Sequence, residues 1–145
     1  MIELNNYDHA DAIAEAAGVM FNMRYDHVLS RVSPTGELLG GVIFNGFNPG
    51  GSISIHMAGF QSGWATIQLT RMVFDYCFNQ LHVKKVFALV PADNSKALEI
   101  NRRMGFKDEV TVADVFADCD LVVLSMSRDE CRWLRVKVQD TKPEG

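Results

Sequence analysis

Apolar and polar positions change rhythm several times along this chain of 145 residues, and each change marks an element. Residues 7–19 set Ala10, Ile13, Ala14 and Ala17 at helical spacing, with Asp8 and Asp11 near the positive end, which predicts a first helix. Residues 27–33 and 38–47 read as two antiparallel strands about the turn Pro34-Thr35-Gly36-Glu37. A second turn, Asn48-Pro49-Gly50-Gly51, leads into a third strand over 52–58. No lysine and helix follow its glycines, so the turn reads as a strand connection and not as a phosphate loop. The stretch 65–81 is apolar on most sides, through Ile67, Leu69, Met72, Val73, Phe74, Tyr76, Cys77 and Phe78. That pattern predicts a long helix lying flat on a sheet.

The next rhythm is sharper. Val86-Phe87-Ala88-Leu89-Val90 is a short run of apolar strand formers, and Pro91 stops it by removing a backbone donor. Ala92-Asp93-Asn94-Ser95 is a turn and helix start, in which Asp93, Asn94 or Ser95 caps the first free N–H groups. Ala97, Leu98, Ile100 and Met104 continue at helical spacing, Arg102 and Arg103 suit the negative end of the dipole, and Gly105 closes the helix. Beyond Phe106, residues 109–116 and 120–126 predict a hairpin and 128–134 a short helix, and 139–145 form a loose polar tail. Three strands, a long helix, a strand, a helix and a hairpin give an α+β domain spanning 1–138, with a mixed central β-sheet and flanking helices.

Composition narrows the partners. With 48% hydrophobic residues the chain buries a real core, and a net charge of -4 argues against nucleic acid and anionic membranes. No apolar run approaches the ~18 residues that span a bilayer, and the opening residues lack a basic and then apolar signal, so a cytoplasmic protein is expected. Cys77, Cys119 and Cys131 lack metal-type spacing and read as reduced packing thiols.

The segment running through Asn94, Ala97, Ile100 and Met104-Gly105-Phe106 resembles the second half of the GCN5-related N-acetyltransferase (GNAT) core, N-x-x-A-x-x-L-Y-x-K-x-G-F. The order of elements resembles that family over nearly the whole chain. The resemblance implies a GNAT-like acyltransferase fold, acetyl-CoA as cosubstrate without a metal, and a primary amine on a small molecule or peptide as acceptor. It also implies a pyrophosphate loop, Q/R-x-x-G-x-G/A, matched here by Gln61, Ser62, Gly63, Trp64, Ala65 and Thr66 with one residue fewer between Gln61 and Gly63. Basic residues common in that loop are missing, which leaves backbone N–H groups and the hydroxyls of Ser62 and Thr66 as donors. Trp64 either covers the cofactor or anchors the helix start. Met57, Ala58 and Gly59 occupy the family position that pairs with the pantetheine arm, and Asn94 bonds the arm, caps its helix, or does both. Arg102 and Arg103 either reach the 3′-phosphate or are ordinary helix-end charges.

Acyl transfer to an amine also needs a base, because a lysine of pKa ~10.4 is largely protonated at neutral pH. Along Ser52-Ile53-Ser54-Ile55-His56-Met57-Ala58, the alternation turns His56 away from Ile55 and Met57, and its titration range suits proton abstraction. The family's thiol-protonating tyrosine is replaced by Asn101, which counts among the cofactor-binding candidates but cannot give up a proton. Tyr76, water or nothing then takes that part. An N-acetyltransferase with His56 and Tyr76 as catalytic groups is the leading expectation. A catalytically degenerate domain, acting in assembly or CoA binding, is the alternative, and a homodimer through the last hairpin and Trp133 is compatible with either.

Overall fold

The computed structural model describes residues 1–134. These form β1 (Ile2–Leu4), α1 (Ala10–Ala17, entered through a tight turn at Tyr7–His9), β2 (His27–Val32), β3 (Leu38–Asn48), β4 (Ser52–Gly59), α2 (Ile67–Phe74, continued by a π-helical segment at Asp75–Gln80), β5 (Lys85–Pro91), α3 (Ser95–Met104), β6 (Lys107–Val112) and β7 (Leu121–Ser127). One sheet holds all seven strands in the order β1-β2-β3-β4-β5-β7-β6. Its neighbours are antiparallel except β4 and β5, which run parallel.

Each face of the sheet has its own core. Phe44, Ile53, Ile55, Val86, Ala88 and Leu124 pack with Leu69, Val73, Phe74 and Phe78 of the α2 segment, and Leu98 of α3 joins them. Val28, Ile43 and Ala58 pack on the other side against Ala10, Ile13 and Ala14. Helix α1 sits close because Gly41 has no side chain: a Cβ there would run into Ile13 and the Leu29 carbonyl. Gly18 ends α1 with φ 77°, two residues short of the expected limit.

Several expected bounds shift. Strand β1 leaves no mark in the hydrophobic pattern because three residues carry no periodicity of their own; pairing of Ile2, Glu3 and Leu4 with Arg31, Ser30 and Leu29 defines it. The helix expected over 65–81 begins at Ile67, where Thr66 accepts from Leu69 N–H at 3.1 Å, and it widens after Phe74. Strands β6 and β7 fall within two residues of the expected start or end, except that β6 stops at Val112 ahead of Asp114, which has φ 59°. Arg128, Asp129 and Glu130 form a turn, and helical structure begins only at Arg132. The expected polar tail lies outside the described residues.

Candidate functional site

Strands β4 and β5 pair from Ser52↔Lys85 to Ile55↔Ala88 and no further. Beyond that point β4 stays bound to β3, with Met57 opposite Val42, Ala58 opposite Gly41 and Gly59 opposite Gly40. Strand β5 stays bound to β7 through Leu89, Val90 and Pro91. The two strands therefore part, and alternate N–H and C=O groups on their facing edges have no strand to bond. A cleft of about 650 Å³ fills the gap, lined by His56, Met57, Leu89, Asn94, Lys96 and Asn101 among others.

One wall is β4 and the loop after it. Gly59, Phe60, Gln61, Ser62, Gly63 and Trp64 line the cleft, and Gly63 has φ 78°. The Trp64 indole lies on Gly40 and Gly59, where an added Cβ at either glycine would overlap its ring. Trp64 is thus an anchor for the loop as well as a cleft residue. Arg31 of β2 donates from Nη1 to the carbonyls of Gly63 (3.0 Å) and Trp64 (3.2 Å), and Gln61 Nε2 donates to Glu37 (2.7 Å). A guanidinium from another strand thereby stands at a loop that has no basic residue of its own.

The other wall is β5 and α3. Asn94 Oδ1 accepts from Ala97 N–H at 3.1 Å, so the cap is realised and the amide nitrogen is left for another acceptor. Gly105 closes α3 with φ 117°, as a C-cap glycine does. Arg102 pairs with Asp108 at 2.7 Å and Arg103 with Glu99 at 2.8 Å, the behaviour of ordinary helix-end charges.

His56 lies opposite Ile43, which faces α1, and its Nε2 is 2.9 Å from Asn45 Oδ1. With Asn45 accepting, Nε2 carries the proton and Nδ1 keeps a lone pair. Burial pushes the imidazole below its usual pKa, and the Asp26 carboxylate pulls it partly back. A histidine neutral at pH 7 and bordering a cleft can accept a proton.

No protein-family model matches this sequence, and no curated protein matches it. Solved structures do match. A mutant form of the spermidine N-acetyltransferase SpeG from Vibrio cholerae is similar with TM-score 0.74 and 14% identity, over 94% of this chain and 99% of that one. Spermidine N-acetyltransferase from the same organism in complex with CoA and spermine gives TM-score 0.73 and 14% identity, over 92% and 97%. The fold is that of the GNAT acyltransferases.

Within this GNAT fold the residues singled out in the sequence are not all brought together. His56, Met57, Gly59, Gln61, Ser62, Gly63, Trp64, Asn94 and Asn101 line the cleft. The Ala58 side chain instead lies in the core with α1, Ala65 faces a small apolar space beside Leu69 and Val73, and Thr66 is spent on the helix cap. Tyr76 is buried between Phe44 and His27, with ring centroids 5.1 and 5.6 Å away, and does not line the cleft. Burial holds its phenol above the usual range. Lys96 and the α1 residues Ala16 and Ala17 also line the cleft, and Arg31 reaches the loop from β2, whose own sequence does not show which loop lies above it.

Proposed function

We propose that this protein is an N-acyltransferase that moves an acetyl group from acetyl-CoA to a primary amine. The observation that carries this reading is the parting of β4 and β5 beside a neutral, half-buried histidine, within a fold whose similar structures include an acetyltransferase in complex with CoA and spermine. Acetyl-CoA supplies the activated acyl group. The unpaired edge of β4 at Met57 and Gly59 and the Asn94 amide nitrogen hold its arm, while backbone N–H groups from Ser62 to Ala65, with Arg31 nearby, face its phosphates. A backbone N–H on that same unpaired edge of β4 polarises the carbonyl. His56 Nδ1 takes the amine proton as the new N–C bond forms. The C–S bond breaks with its electron pair on sulfur, and a thiol of pKa ~8.5 leaves adequately without an acid. The Asp26 carboxylate acts on His56 through its charge, and the same field favours a cationic amine in front of the imidazole.

Asn101 and the buried position of Tyr76 favour a second reading, in which the protein binds CoA compounds without turning them over. Thermal unfolding with acetyl-CoA, followed by thiol release with a panel of amines, separates the two. Ligand at 100 times Kd stabilises the native state by about 2.7 kcal/mol. A shift with turnover supports the enzyme, a shift without turnover supports the binding protein, and no shift at millimolar acetyl-CoA removes both.

A further inference from the structure

Asn101 holds a polar atom that the fold does not use. The residue is only 5% exposed and lines the cleft beside Ala97 and Ile100. Its Nδ2 donates to the Ala97 carbonyl at 2.8 Å, and this bond sets the orientation of the amide, because the rotated amide would press two oxygens together. Oδ1 is left on the opposite side. No group among the described residues donates to it, and water does not reach it, so a ligand donor meets it once a small shift of the side chain or its neighbours uncovers it. A buried carbonyl oxygen without a donor is costly, and a ligand that brings an N–H or S–H removes the cost.

We infer that Asn101 is a hydrogen-bond acceptor for the pantetheine arm, so that the residue standing at the family's proton-donor position works in the opposite sense. This rests on the reading of the cleft as a CoA-type site. Two donors on the arm share the required chemistry. The amide N–H groups are present in CoA, acetyl-CoA and desulfo-CoA alike, whereas the terminal S–H is present in CoA alone. An S–H partner would make the released thiol bind more tightly than the thioester, because an acylated sulfur carries no proton.

Calorimetric titration of the full chain with CoA, acetyl-CoA and desulfo-CoA, for wild type and Asn101→Leu, tests the inference. Leucine is of similar size and carries no polar side-chain atom, so the ligand-free variant should unfold at the same or a higher temperature. Its affinity should nevertheless fall about five- to tenfold. A loss for all three ligands assigns the amide N–H, and a loss for CoA alone assigns the S–H. Unchanged affinity for all three overturns the inference while leaving the cleft reading intact. Failure of every ligand to bind wild type overturns both. If Asn101→Leu does not fold, Asn101→Ser keeps a donor to the Ala97 carbonyl but withdraws the acceptor from the cleft. The same loss is expected, and retained affinity overturns the inference.

Discussion

The two walls of the cleft are built by different logics. The β5-α3 wall is local in its signals: strand, cap, helix and closing glycine follow one another within Lys85 to Gly105, although β5 itself is bonded to the distant β4 and β7. The wall from β4 to α2 is assembled from a distance. Its loop is anchored by Trp64 on Gly40 and Gly59, tied by Arg31 from β2, and linked through Gln61 to Glu37. The cap and closing glycine of the first wall act within their own segment, whereas the ties of the second reach it from β2 and β3 and contribute unequally.

The largest effect is expected at His56 on the distant wall. His56→Ala should lower thiol release at pH 7 by about a hundredfold or more, with a smaller loss at pH 9, where more of the amine is already deprotonated. An equal loss at both pH values in steady-state assays would remove the base. The same imidazole affects stability. Burial lowers its folded pKa, so the unfolded chain takes up a proton first as pH falls through 6.5. The stability present above pH 6.5 should therefore decline below it, and the His56→Ala variant should lack that component in urea titrations.

The anchor comes next. Gly59→Ala places a methyl group into the Trp64 indole and should cost about 1–3 kcal/mol by urea denaturation. In a Trp64→Ala background the cost should shrink, and full additivity would mean that the loop is held elsewhere. On the local wall, Asn94→Ala should cost about 1 kcal/mol through the lost cap. Asn94→Asp keeps an acceptor for Ala97 N–H and should recover that stability but not CoA affinity. Recovery of both would show that the amide nitrogen plays no part in binding. The smallest effect is expected for Arg31→Met: about 0.5 kcal/mol of stability or less, with a few-fold weaker CoA affinity that fades as salt is raised.

The difference between the walls also explains what could be read from the sequence. Asn94 and Gly105 were legible because capping and positive φ are local demands that few residue types meet. His56 was legible as a face because a strand alternates strictly. Arg31 was not, since nothing within residues 27–33 indicates which loop lies above it. Nor was the division of roles around Trp64, because Gly40 and Gly59 make room for the indole only once β3 and β4 have paired. The chemistry of Tyr76 suggests catalysis, yet its helix turns it onto Phe44 and His27, and the spacing of a helix apolar on several sides does not tell which side meets which strand. The π-helical widening after Phe74 left no mark in that spacing either.

The parallel pairing of β4 with β5 has a further consequence for how the chain folds and breathes. Four residue pairs, beginning with Ser52↔Lys85, are the seam between two antiparallel blocks, and closing it brings together segments separated by the whole of α2. Contacts so distant in sequence carry a large loop-closure entropy, as do those of β5 with β7, and form later than the hairpin pairings of β2, β3 and β4. Amide hydrogens of β5 that pair across the short seam should exchange with solvent sooner than those held within β3 and β4, and a ligand bridging the gap should slow them. The opening that makes room for a substrate thus adjoins a short seam that is knit late and loosens early.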